Sequence, residues 1–531
     1  MKRTHRLTAV LLAFCLAATT LSTGVTAGAA ETGQTYTVTT DAEFNNALTE
    51  AQDGDTIQIN APFITVTLNG SGSNSDIPWI INKELTFQGG KLILRTGGIA
   101  LNKNATFRNI DLSFPNIVRN AILANGHTLT LENVTSNDSA YAINLFCGGY
   151  AGRIAGVTDD FDKNLLNSGE KGTIIIKGNT NLQGETSNLA NIYAGNLCLG
   201  SMKADDPTQG TKDGPENAFK GTATIQIECE KNSNVGKIYA CGAQQRITSA
   251  TDEKKITLPD AEKYTVAGTV NVSLNNSIEV NGKGSTATDV TYKGSGYLSE
   301  PLLQDISTLT VESGKLTPAA TSSFQNVSLN SGATLGLTNV TAIPGTFTGG
   351  GSLILGQDQT LTIEGTVSET TKVGIGGFNY DGTQSSSVPT MGKTYIQAPK
   401  STDASFQLAP YANQTDAKFT RNDTGDWIVT KDGTGDDTTL VKSFIFAPDT
   451  PSAPTTTEGT EIDLDLVATA ADDTYVMLDF IPLNITVDGK SATRDGPDTN
   501  GYYRYTSSTL DLSMTVIDNS LGITPASGSA G

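Results

Sequence analysis

A series of short triplets constrains this sequence more than any other feature. Each triplet has an apolar–polar–apolar pattern, and most are closed by Asn, Gly or Ser. Because side chains alternate across a strand, a triplet predicts a very short β-strand that directs its apolar residues inward. The early copies lie about 20–24 residues apart, which is close to one coil of a solenoid. The clearest copies are 85–89, 106–110, 129–134, 309–313, 327–330 and 361–365.

An amphipathic helix is predicted before the first triplet. Asp41 is the candidate N-cap residue, and Gly54 is the residue expected to end the helix. Residues 56–59 then alternate like a strand. The apolar residues that recur at helical spacing are Phe44, Ala47, Leu48 and Ala51.

The helix, the Gly-Asp-Thr-Ile run at 54–57 and the triplets together resemble the N-terminal region of the pectate-lyase-like β-helix superfamily. The resemblance implies an all-β fold: a right-handed parallel β-helix with an N-terminal capping helix. The first coil of a solenoid exposes an apolar end and an unpaired strand edge, so a helix that covers both is expected there.

A longer repeat occupies the middle of the chain. Similar segments begin at Gly172, Gly221 and Gly268, which lie 49 and 47 residues apart. We interpret this period as about two coils per repeat. Polar stretches interrupt the repeats at equivalent points, so we expect them to emerge on one side of the solenoid. We name them the first insert, near 150–171, the second insert, near 197–220, and the third insert, near 243–267.

The composition changes after the repeats, which gives the predicted domain organisation. Residues 31–432 are assigned to the β-helix and 433–460, with prolines and a threonine run, to a linker. Residues 461–531 contain spaced alternating segments and resemble an immunoglobulin-like β-sandwich. Strands of that sandwich are predicted at 462–466, 475–480, 483–487, 502–505 and 510–517.

The first 30 residues predict an export signal. Lys2, Arg3 and Arg6 precede an apolar run at 9–18, and small residues at 27–29 offer a cleavage site. No second long apolar stretch follows, so we expect no membrane span in the mature chain. The protein is therefore expected to be secreted, with attachment to the cell surface left open.

The formal net charge of −20 restricts the partners. An acidic surface repels nucleic acid, so no nucleic-acid partner is expected. It also disfavours an anionic polysaccharide unless Ca²⁺ bridges the two. No cofactor is predicted, and Ca²⁺ is the one ion that the acidic inserts suggest, although no Asp-x-Asp-x-Asp-Gly spacing supports it.

Catalytic motifs were sought because polysaccharide-cleaving enzymes share the superfamily. Hydrolases of this fold carry clustered aspartates, a Gly-His pair and an Arg-x-Lys element. Gly126-His127 matches in letters only, since His127 is interpreted as a solvent-facing strand residue, and no Arg-x-Lys element occurs. The best acidic cluster lies at 159–162, and we favour a solvated loop over a catalytic site as its interpretation. We therefore assign no catalytic residue and no metal ligand.

Binding residues are sought in the inserts instead. Aromatic side chains there would stack on sugar rings or anchor a protein partner, and the carboxylates would supply oxygen ligands for Ca²⁺. The candidates are Tyr150, Asp159, Asp160, Phe161, Asp205, Asp206 and Tyr264. Tyr193 and Tyr239 occupy equivalent repeat positions, so we expect those two rings to stack inside the fold.

Four cysteines remain after the signal: Cys147, Cys198, Cys229 and Cys241. They allow three disulfide pairings and are equally compatible with buried thiols. The sequence does not choose between these states.

The sequence thus favours a non-catalytic protein that presents loops on a β-helix to a glycan or an extracellular protein. The arrangement resembles adhesin-like secreted and surface proteins of Gram-positive bacteria. The alternative is a polysaccharide lyase or glycoside hydrolase that acts in a groove along the coils.

Overall fold

The computed structural model describes most of the region after the predicted signal, and short strands near the C-terminus. Two compact units result, Met1–Thr430 and Lys431–Gly531. The predicted signal and the predicted linker at 433–460 lie outside the described residues. The described residues are 33–67, 78–115, 120–136, 139, 142–151, 171–183, 190–200, 218–229, 235–246, 256–257, 261–262, 264–299, 301–376, 389–399, 405–409, 417–422, 425–431, 474–477, 486–487, 490–491, 493–495, 503–506, 512–517 and 520–525.

Among its described residues, the first unit consists mainly of β-strands, and its largest sheet is parallel throughout. We call it the main sheet; it has seventeen strands among the described residues. These strands are Thr35–Val38, Asp55–Ile59, Leu85–Gln88, Ala105–Arg108, Thr128–Glu132, Lys171–Gly178, Thr222–Cys229, Val266–Leu274, Ser285–Ser299, Ile306–Thr317, Phe324–Leu329, Thr334–Gly336, Phe347–Thr348, Ser352–Leu355, Val367–Ser368, Thr370–Ile375 and Ser405–Leu408.

Two further parallel sheets accompany the main sheet. The second sheet contains Trp79–Ile81, Ile99–Leu101, Ala121–Leu123, Asn144–Phe146, Ala190–Tyr193, Val235–Tyr239, Val280–Asn281 and Leu303–Gln304. The third sheet contains Ile64–Val66, Lys91–Leu94 and Asp111–Ser113.

Two other sheets of this unit are partly antiparallel. The insert sheet contains Tyr150–Ala151, Leu197–Gly200, Ala243–Arg246 and Ile256–Thr257. The terminal sheet contains Ala342–Ile343, Leu361–Ile363, Thr394–Gln397, Trp427–Lys431 and Ala417–Arg421.

Apolar side chains form columns because successive passes of the chain pair in register. Ile57 pairs with Phe87, Phe87 with Phe107 and Phe107 with Leu131, and all four are buried. The rings of Phe87 and Phe107 stack with centroids 5.2 Å apart. The predicted triplets are therefore confirmed as strands, and the long parallel sheets are consistent with a parallel β-helix. The triplet near 361 differs from the others in belonging to the terminal sheet.

Each long repeat proves to be one pass of the chain along the main sheet and not two, so that interpretation was wrong. Thr173 pairs directly with Thr224, and Thr224 pairs directly with Asn271. In the described part of the main sheet these strands are direct neighbours, so each insert lengthens a single pass of the chain. The repeat also shifts by two residues, because Gly172 pairs with Ala223 and not with Gly221. A shift of two keeps the same side chains inward, which is why the sequence pattern survives it.

The predicted helix is present as Asp41–Glu50, but its N-cap is Thr40 and not Asp41. The Thr40 hydroxyl accepts a hydrogen bond from the Glu43 amide at 3.2 Å, as N-caps do. The Asp41 carboxylate instead accepts from the Thr65 amide at 2.9 Å. Asp41, which was expected to be the N-cap, therefore links the helix to the third sheet.

The end of the helix also differs from the prediction. It ends at Glu50 with Ala51 as its C-cap, and the Ala51 amide donates to the Ala47 carbonyl at 2.8 Å. Gly54 lies in the following turn with a φ of 93°. Phe44 packs its ring 6.0 Å from that of Trp79. Within the described residues, no helix is both long enough and apolar enough to cross a membrane.

The second unit is antiparallel where it is described. Val487 pairs with Lys490 across a two-residue hairpin. The predicted strand at 462–466 lies outside the described residues, and Ser520–Pro525 is an additional strand that the pattern missed. The described strands are Thr474–Met477, Thr486–Val487, Lys490–Ser491, Thr493–Asp495, Tyr503–Thr506, Leu512–Ile517 and Ser520–Pro525.

Candidate functional site

The three inserts begin as neighbouring strands of the insert sheet. Tyr150 pairs in parallel with Leu197, and Leu197 pairs in parallel with Ala243. Their backbones are joined by hydrogen bonds from the Leu197 amide to the Gly149 carbonyl at 2.9 Å and from the Ala243 amide to the Asn196 carbonyl at 3.0 Å. The chain therefore leaves three successive coils side by side.

Glycines occupy the corner where the chain passes from the second sheet into the insert sheet. A Cβ at Gly148 would overlap the Asn196 side chain, and a Cβ at Gly195 would overlap the backbone nitrogen of Gly242. The Asn196 side-chain oxygen accepts from the Gly149 amide at 3.0 Å. The corner is so tight that only glycine fits at these positions.

A stack of aromatic rings lies beneath the insert sheet. Phe146 and Tyr193 have ring centroids 4.7 Å apart, and Tyr193 and Tyr239 have centroids 5.3 Å apart, with 12° between the planes in each case. The predicted stacking of the two tyrosines is confirmed. They belong to a cluster separate from the main core, however, which the sequence did not reveal.

The insert sheet is buried on its inner face and is contacted on the opposite face at Cys198. Tyr150, Leu197 and Ala243 are buried in the same cluster as the ring stack. The Tyr150 hydroxyl donates to the Gly97 carbonyl at 2.7 Å, which fixes the ring in place. Cys198 alternates to the opposite face and packs against Tyr264, near the end of the third insert.

The third insert closes the edge of this sheet. Ile256–Thr257 runs antiparallel to the strand before it, pairing Thr257 with Gln244 and Ile256 with Gln245. A strand that turns back in this way protects an edge that would otherwise remain open to pairing with another chain.

The comparisons with known proteins give no relative. No family model matches the sequence, no curated protein matches it, and no solved structure matches it. The chemistry of the site must therefore be judged from the residues of this chain.

The structure places two of the predicted binding residues at the base of the inserts. Tyr150 is 1% exposed and Tyr264 is 4% exposed, so both rings pack inward. The other candidates, Asp159, Asp160, Phe161, Asp205 and Asp206, lie outside the described residues, and their binding roles stay predictions.

The sequence analysis missed the residues that hold the inserts together. Leu197, Ala243 and the corner glycines were not singled out, and Cys198 was named only as a buried thiol or disulfide candidate. A signal was present, because a glycine recurs shortly after each ring of the stack, at Gly148, Gly195 and Gly242.

A charged pair lies beside the exposed end of the ring stack. Lys237 Nζ is 2.5 Å from a carboxylate oxygen of Glu279, and this hydrogen bond raises the pKa of Lys237. Tyr239 is half-buried, and burial raises the pKa of its phenol. Both groups therefore keep their ordinary charge at neutral pH, with a paired cation next to a neutral phenol.

His127 does not lie in a strand as the sequence predicted. It occupies the turn before Thr128–Glu132, with its amide donating to the Ala124 carbonyl at 2.8 Å. The side chain is half-buried, and burial together with the nearby charge of Lys103 lowers its pKa. The neutral imidazole is therefore favoured.

The four cysteines are buried thiols with no disulfide among them. Burial raises the pKa of Cys147 far above its usual range. A thiol held in that state is a poor nucleophile, so Cys147 serves packing.

Potential metal ligands lie scattered over the described part of the chain. No three His, Cys, Asp or Glu side chains group closely enough there to hold a metal ion.

Proposed function

We propose that this chain is a secreted, non-catalytic display protein that presents its three inserts to an extracellular partner. In this proposal the parallel sheets form a right-handed β-helix of the pectate-lyase-like superfamily, and Asp41–Glu50 caps its first coil. The second unit is an immunoglobulin-like accessory domain. The architecture is that of an adhesin-like secreted or surface protein.

The insert sheet is the observation that carries this proposal. Neighbouring strands of a sheet lie about 4.8 Å apart, so three inserts that start on adjacent strands arise within about 10 Å of one another. Tyr150, Leu197 and Ala243 bury the inner face of that base. A rigid scaffold that positions variable loops in one place is the usual arrangement of a binding surface.

The chain's own residues favour binding over catalysis. The Gly126-His127 pair that resembles a hydrolase motif lies in a turn, where the His127 backbone donates to Ala124 and accepts from Thr173. Within the described residues, Lys237 lies next to the ring stack and is paired with Glu279. General acid–base chemistry uses a side chain whose charge changes near the working pH, and the hydrogen bond to Glu279 raises the pKa of Lys237 away from that range.

A protein partner is supported better than a glycan. Sugar rings are commonly bound by exposed aromatic rings, and two of the three aromatic candidates, Tyr150 and Tyr264, are buried. Phe161 alone remains for such stacking. A standard protein interface uses roughly 800 Å² on each partner, which several adjacent loops supply more readily than one.

The test compares the mature protein with a variant in which residues 152–170, 201–217 and 247–255 are replaced by short Gly-Ser loops. A matched control shortens residues 377–388, which lie outside the inserts. All three proteins are applied to an array of extracellular proteins and to a glycan array. Binding to an arrayed protein that is lost in the insert variant and kept in the control is expected.

A polysaccharide-degradation screen with a Ca²⁺ titration tests the alternative. The proposal expects no release of oligosaccharide at any Ca²⁺ concentration. Release of oligosaccharide by the intact protein, or binding that is unchanged in the insert variant, would overturn it.

A further inference from the structure

We infer that the three inserts act as one structural unit, so that loosening the anchor of one insert loosens the bases of the others. The inference deepens the proposed display function and rests on it for its biological purpose. It predicts a composite binding surface in place of three independent loops. Three separate links between the inserts carry it.

The first link is the shared backbone ladder. The second insert contributes the central strand, Leu197–Gly200, which pairs with Tyr150–Ala151 on one side and with Ala243–Arg246 on the other. If the central strand loses its hydrogen bonds to one neighbour, the central strand becomes less ordered. Its pairing with the other neighbour then weakens as well.

The second link is the ring stack beneath the sheet. Phe146, Tyr193 and Tyr239 come from three successive coils, and each precedes one insert by a few residues. The inner side chains of all three insert strands share one apolar cluster with this stack. The base of every insert therefore packs on a surface that all three coils build.

The third link joins the second insert to the third on the opposite face. Cys198, in the first strand of the second insert, packs against Tyr264 near the end of the third insert. The Tyr264 carbonyl accepts from the Gly242 amide at 2.7 Å, so the same residue also closes its own insert onto the glycine corner. Tyr264 thus holds two inserts at once.

The consequence concerns binding. Where local order is shared, a partner that orders one insert lowers the entropic cost of engaging the next. A single partner that contacts all three inserts would then bind them cooperatively.

Hydrogen exchange followed by mass spectrometry tests the inference on the mature protein without any ligand. In Tyr264→Ala the ring is removed from the third insert. We expect amides of Leu197–Gly200 and Tyr150–Ala151, which belong to the other two inserts, to exchange roughly tenfold faster or more. The matched control is Tyr395→Ala, which removes an equally buried ring from the terminal sheet, and it should leave these amides unchanged.

The reciprocal variant is Cys198→Ala, a smaller change that keeps the test open if Tyr264→Ala does not fold. It should speed exchange in Ala243–Arg246 of the third insert. Faster exchange confined to the mutated insert in both variants would overturn the inference. Because no partner enters the readout, failure of the display function and failure of this inference remain distinguishable.

Discussion

Tyr193 stacks face to face on Tyr239, with ring centroids 5.3 Å apart and 12° between the ring planes. The two residues sit in consecutive passes of the chain and pair in register. Because they pair directly, a long repeat is a single pass of the chain. The rings also lie on the outer face of the second sheet, where they share an apolar cluster with the insert sheet.

The ring of Tyr193 should contribute more to stability than its hydroxyl. Tyr193→Ala removes the middle of the stack and is expected to cost about 3–5 kcal/mol of unfolding free energy, as for other buried aromatic residues. Tyr193→Phe keeps the ring and loses one long hydrogen bond from Asn191, at 3.4 Å, so it should cost about 1 kcal/mol or less. Denaturant unfolding of both variants measures the difference, and equal losses would contradict the stacking account.

The glycine corner should not accept a side chain. Gly195→Ala places a methyl group against the Gly242 backbone, so it is expected to destabilise the protein by roughly 1–3 kcal/mol, as overpacking does. Gly296→Ala is the matched control, because a Cβ there meets nothing within 4 Å. Thermal unfolding should separate the two variants. A Gly195→Ala protein as stable as Gly296→Ala would show that the corner is less tight than described.

The free energy of unfolding should fall on acidification because His127 becomes protonated. The pKa of His127 is lowered in the folded protein by burial and by Lys103, whereas the pKa of a histidine in an unfolded chain is about 6.5. Below that pH the unfolded chain binds the proton more readily than the folded protein does. The contribution of neutral His127 to the free energy of unfolding is therefore present above about pH 6.5 and is lost as the pH falls through the folded pKa.

The His127→Gln variant measures this effect. Unfolding free energy determined from pH 7.5 down to pH 5 should decrease less steeply in the variant than in the wild type. Lys103→Gln should reduce the slope in part, since it removes only the second cause. Superimposable pH profiles for wild type and His127→Gln would refute the assignment.

Much of the scaffold follows from short-range pattern alone. Thr56 to Ile59 and the triplets alternate strictly, and alternation with a buried face leaves a strand little choice of orientation. The helix was likewise readable from the spacing of Phe44 and Ala47. Its cap was not, because Thr40 and Asp41 are both good N-cap residues and the choice depends on the contact that Asp41 makes with Thr65.

The repeat length and the base of the inserts could not be read in the same way. A period of 47–49 residues, counted between Gly172, Gly221 and Gly268, is equally long whether it holds two plain coils or one coil with an insert. Only the pairing of Thr173 with Thr224 distinguishes them. The burial of Tyr150 and Tyr264 depends on contacts between residues far apart in the chain, and sequence spacing does not encode those contacts.

Site-directed cross-linking tests the single-coil claim most directly. Thr173→Cys and Thr224→Cys are introduced together, with Cys147, Cys198, Cys229 and Cys241 replaced by alanine, and treated with a thiol cross-linker too short to span two strand spacings, about 10 Å. The account predicts efficient intramolecular cross-linking of this pair and none for Thr173→Cys with Asn271→Cys, which lies one strand further along the sheet. No cross-link between positions 173 and 224 in the folded protein would contradict it.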